Sequence, residues 1–214
     1  MSATQMPTQD PPQAMTEIDT ERALAETQAW VNRAVIGLNL CPFAKAPQVK
    51  GQVRYVVSTA RDPAALLSDL IAELERLAET SADKIETTLL IHPGLLADFA
   101  DYNDFIEVAE DTVAELDLEG EIQVASFHPQ YQFEGTEPDD IENATNRSPY
   151  PTLHLLREAS IDRAVAAYPE AEAIYQTNIR AMQSLGAKGW AALQQQCRED
   201  AAAAPAAPGD TPRH

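Results

Sequence analysis

The chain has 214 residues, 44% of them hydrophobic, which is enough for one domain with a packed core. Its net charge of −19 repels phosphate backbones and anionic lipid, and no basic stripe interrupts it, so no nucleic-acid partner is expected. Without an apolar run of about 18 residues, a secretory leader or more than the two cysteines Cys41 and Cys197, the expected setting is a reducing cytoplasm, with no membrane.

Residues 1–18 are rich in Pro, Gln and Thr and lack apolar periodicity, so they read as a disordered tail. The Ala/Pro-rich stretch 198–214 reads the same way, leaving 19–197 as a single globular domain. Within it, "TERALAETQAWVNRAVIGLNL" has helical spacing and stops before Pro42. "QVRYVVST" is β-branched with period two and predicts a strand near 52–59. A helix starts at "RDPAALLSDLIAELERLAE", where Asp62 supplies an N-cap and Pro63 occupies the first helical position.

"IETTLLIH" predicts a second strand, a helix is expected over about 95–116, and "EIQVASFH" predicts a third strand. This order makes the fold class α/β or α+β. The expectation is a small, largely parallel β-α-β-α-β sheet with flanking helices. An added antiparallel strand is the alternative. Two closing helices are predicted at about 152–167 and 170–197, the latter interrupted near Gly186 and Gly189.

Both the second and third strands end in His-Pro, at His92-Pro93 and His128-Pro129. In a parallel sheet the two histidines emerge at one carboxyl edge, where open α/β sheets bind ligands. The alternative is that each ring hydrogen-bonds backbone at a strand end. The aperiodic, acidic segment 129–150 is long enough for a lid or binding loop.

Arg147 closes that segment, and Asn146 precedes it. On a helix of about 3.6 residues per turn, His154, Arg157 and Glu158 share an arc of about 100°, opposite Leu155, Leu156 and Ala159. Arg147 and Arg157 would then clamp an anion at the helix start, with Asn146 beside them. Alternatively, Arg157 pairs with a glutamate and Arg147 fastens the acidic loop.

His154 and Glu158 at i, i+4, with His92 and His128, form a possible metal-ligand set, although the spacing alone identifies neither a metal nor a cofactor. Cys41, before Pro42 and near Lys45, reads as a buried structural thiol, with a nucleophilic role as the alternative.

"LNLCPFAK", "TTLLIHP", "ASFHPQYQF" and "NRSPYPTLHLLREAS" together resemble an uncharacterised, mainly bacterial family, catalogued as domain-of-unknown-function 1415. The resemblance runs from about Trp30 to about Gly186 and carries over no catalytic residue. No phosphate-binding loop, dinucleotide fingerprint, zincin helix or nucleophile elbow is present.

The residues alone therefore point to an enzyme, a hydrolase or group transferase, acting on a small anionic metabolite. His92 and His128 would move protons, His154 and Glu158 would assist, and Arg147 and Arg157 would hold the anion. A non-catalytic ligand-sensing or interaction module, and a His-ligated metalloenzyme, are the rival readings. The oligomeric state is left open.

Overall fold

The computed structural model describes residues 18–167 and 173–204. The tail expected at 1–18 lies outside the described residues except for Ile18, and so does the C-terminal stretch from 205 onward.

Helix α1 (Thr20–Trp30) starts under Asp19, whose carboxylate accepts the Arg22 N–H at 2.9 Å. It widens directly into a π-helical turn, Val31–Ile36. At the end of that turn Gly37 donates its N–H to Asn32 O at 3.1 Å, and a Cβ there would stand 2.2 Å from Arg33 O. Only glycine fits so close to that carbonyl. The expected single helix to residue 40 is thus two pieces, because the chain must leave the helix early to bring "CPFAK" over the sheet.

After the short α2 (Lys45–Val49), strand β1 (Val53–Val57) leads to α3 (Pro63–Glu79), β2 (Thr87–Ile91), α4 (Phe99–Glu115) and β3 (Ile122–Phe127). Asp62 caps α3 through the Ala65 N–H at 2.9 Å, as its position before Pro63 predicts. Asp98 does the same for α4 through Ala100 at 2.8 Å.

The sheet corrects the largely parallel expectation. Its order is β1-β2-β4-β3, and β4 (Thr152–Arg157) runs antiparallel to both neighbours. β1 and β2 pair in parallel, and β3 points the same way from beyond β4. The unit β2-α4-β3 therefore leaves a gap one strand wide, which the last strand fills in the manner of a split β-α-β motif.

The helix expected over 152–167 is likewise half strand: β4 precedes α5 (Glu158–Ala167). The sequence "TLHLLR" sits between two partners and is apolar on both faces, a pattern that does not distinguish a central strand from a buried helix.

The final helix α6 (Ile174–Ala203) bends at Gly186, where φ is 65° and ψ is 172°. Gly189, also expected to interrupt it, stays helical. α6 runs past the boundary set at Cys197, and Arg33 holds Asp200 in an ion pair against α1 and its π turn. Residues 198–203 are therefore part of the folded structure.

Two cores lie on the two sheet faces. On one, Leu66, Leu70, Leu74 and Leu77 of α3 and Tyr102, Phe105, Ala109 and Val113 of α4 pack on Leu90, Leu153 and Leu155. On the other, Trp30, Val31, Ala34, Met182 and Trp190 gather over Leu89. Each core stripe recurs every three or four residues along its helix, which is what fixes the helices against the sheet.

Candidate functional site: a cavity over the sheet

His92 and His128 do meet at the carboxyl edge, as the paired strand endings predict. Alternation turns both rings to the α4 side, where Tyr102 stacks between them at centroid distances of 5.8 and 4.9 Å. Both are fully buried, at 0% exposure.

Three of their four nitrogens are engaged with backbone. His128 Nδ1 accepts the Gln130 N–H at 3.0 Å, so Nε2 carries the proton and donates to Leu96 O at 3.0 Å. His92 Nδ1 lies 3.3 Å from Leu95 O, which leaves its Nε2 buried without a partner. Burial pushes the His92 pKa down to about 4, with the nearby His128 lowering it further and the Leu95 contact opposing. Burial also lowers that of His128. The pair fastens the loops that follow β2 and β3 and offers no open face to a ligand.

The expected anion clamp does not assemble. Arg147 donates to Tyr131 O at 3.1 Å and Pro138 O at 2.6 Å, fastening the acidic loop. Arg157 sits at the far end of β4, about 17 Å from Thr152 along a strand rising about 3.3 Å per residue. There it donates to Ile85 O at 3.2 Å, to Leu77 O at 2.5 Å and to Thr80 O, closing the last carbonyls of α3.

Asn146 serves the backbone as well, donating to Ser126 O at 3.3 Å while its carbonyl accepts the His128 N–H. Glu158 opens α5, and its N–H donates to Glu121 O at 2.9 Å.

His154 lies on a strand, so the i, i+4 pairing with Glu158 is lost, and alternation directs it to the face opposite His92 and His128. The expected four-residue metal set is therefore split across the sheet. Among the described residues no group of three or more His, Cys, Asp or Glu side chains is arranged to hold a metal.

The face His154 occupies carries a cavity of about 880 Å³. Its floor is formed by Val53, Thr87, Leu89, Ala125, Phe127, His154 and Leu156, on the sheet face opposite His92 and His128. Trp30, Val31 and Val35 form one wall, the segment from Cys41 to Pro47 another, and Ile161 and Ala164 of α5 a third.

The Cys41–Pro47 wall is fixed by its neighbours. Asn178 donates to Leu40 O at 2.8 Å, Gln48 donates to Asn32 Oδ1 at 3.1 Å, and Tyr55 donates to Gln48 Oε1 at 2.8 Å. Most of the lining is apolar, with the charged Lys50, Asp83, Glu86, Arg157 and Arg163 among it. Three cations against two acids make a positive balance, unlike the rest of a chain of net charge −19.

Three features mark this cavity chemically. The π-helical turn contributes Val31 and Val35, and such turns recur at functional sites. The Trp30 indole N–H, in the wall, is buried without an acceptor. Cys41 faces the same space; burial raises its pKa, opposed by the N–H groups of Phe43 and Ala44, so it stands as a neutral thiol.

His154 is also neutral, its pKa pushed down to about 4 by burial. Of these residues the sequence singled out His154, Cys41 and Arg157. It did not single out Thr87 and Ala125, which strand register brings beside His154, or Trp30 and Lys50, which α1 and the end of α2 bring to the walls.

A mixed four-stranded sheet with helices on both faces and a half-open, mainly apolar cavity on one of them defines a small α/β protein with a ligand-sized pocket. The chain belongs to a family described as a protein of unknown function (DUF1415), whose model matches residues 22–192. No curated protein and no solved structure matches the chain. No described helix is long and apolar enough to cross a membrane.

Proposed function

We propose that this chain binds a small molecule with an apolar body and an anionic group in the cavity on the sheet face that carries His154. The observation that carries the reading is the cavity itself: about 880 Å³, mainly apolar, with a few convergent polar groups. The anionic group is argued from the net positive lining: Arg163 pairs with Glu86 at 3.7 Å, which leaves Lys50 and the backbone-bound Arg157 against Asp83. Catalysis by hydrolysis or group transfer is the second reading, favoured by Cys41 and His154 facing one cavity.

Naphthalene sulfonate, an apolar ring system with one anionic group, is the probe of choice. Calorimetric titration of the full chain should give saturable binding near one equivalent. Ala125→Phe, which fills the cavity from its floor, should abolish that binding while thermal unfolding stays cooperative. Absence of binding, or equal binding by the variant, would refute the proposal.

A further inference from the structure

His154 has its tautomer set by its neighbour. The Thr87 hydroxyl lies 2.6 Å from Leu155 O and 2.7 Å from His154 Nε2. A hydroxyl has one proton to give, and a carbonyl can only accept, so Thr87 donates to Leu155. Its oxygen must then accept, which places the imidazole proton on Nε2. Nδ1 is left as a bare lone pair on a ring that lines the cavity, and no described residue donates to it.

The surroundings keep the ring in that state. Among the described residues no carboxylate pairs with it, and the Phe127 ring lies 5.9 Å away. The groups that face the cavity beside it are the neutral thiol of Cys41, the amides of Gln52 and Gln123, and the acids and cations already named.

From this geometry we infer that His154 Nδ1 is the proton-accepting group of the site, and that its ligand presents an O–H or N–H to it. An alcohol, phenol, amine or amide N–H on the apolar body satisfies this; a ketone or ether at that position leaves two lone pairs opposed. The inference rests on the cavity reading and narrows it to hydrogen-bond donors that also carry an anion. Where the donor is acidic enough, the same nitrogen takes its proton as a general base.

The experiment compares naphthalene sulfonate with hydroxynaphthalene sulfonate, which share body and charge and differ in one donor. Wild-type protein should bind the hydroxylated probe roughly tenfold more tightly, the effect of one well-formed hydrogen bond. In His154→Phe that preference should vanish while the parent probe still binds. Equal affinities in the wild type, or a preference that survives in His154→Phe, overturn the inference and leave the cavity reading standing. Binding of neither probe overturns both. Nitrogen-15 spectra of wild-type protein labelled at histidine serve if the variant misfolds: a protonated Nε2 and a bare Nδ1 at His154 are expected, and the opposite tautomer overturns the inference.

Discussion

The carboxyl edge and the cavity each contain neutral, desolvated histidine, yet they differ in what is left over. At the edge, His128 spends both nitrogens on backbone and the buried His92 ring spends one, with Tyr102 filling the space between them. In the cavity, His154 spends one nitrogen on Thr87 and keeps the other facing open volume. Residue type is alike; burial and the number of hydrogen bonds the backbone takes are not, since His92 and His128 are fully buried and His154 is half-buried. A buried histidine becomes a functional candidate when its neighbours fix one nitrogen and leave the second accessible.

The largest test of that contrast is Tyr102→Ala. Tyr102 is fully buried, donates to Thr152 O at 2.8 Å and accepts the Phe127 N–H at 3.1 Å, so it ties α4 to both β4 and β3. Its truncation should lower unfolding free energy by roughly 3–5 kcal/mol in urea titration. A loss under about 1 kcal/mol would deny the cluster its structural role.

Acid comes next. The folded pKa of His92 is about 4, below its ordinary 6.5, so the unfolded chain takes up a proton first as pH falls. Its contribution is fully present above about 6.5 and is lost progressively down to about 4. For His92 that is about 3 kcal/mol. His92→Phe should make the stability profile less steep across that window, with His128 and His154 keeping part of the slope; an unchanged slope would show that the ring is not held neutral.

The smallest expected effect falls on the cavity side. Thr87→Val should cost about 1–2 kcal/mol, by leaving the His154 N–H without its acceptor. A neutral result in the same titration would mean that Thr87 does not fix the ring.

Much of the frame was legible in residues that act locally. Asp62 and Pro63 announce α3, the β-branched runs announce β1 to β3, and the shared His-Pro endings place His92 and His128 side by side. What escaped was decided by partners distant in the chain. "TLHLLR" is a strand only because β2 and β3 flank it, and that change alone moves His154 across the sheet and parts Arg147 from Arg157. The cavity was invisible for the same reason: Thr87, Ala125 and His154 are neighbours in register, not in sequence.

The late arrival of β4 also bears on how the chain is made. A ribosome that has released residues 1–151 has supplied both flanking strands but not the one between them. Until Arg157 has cleared the exit tunnel, β2 and β3 each present an unpaired edge, and the sheet cannot close by local contacts. The final fold is therefore committed only after β4 has been translated, and the nascent protein carries two open edges until then.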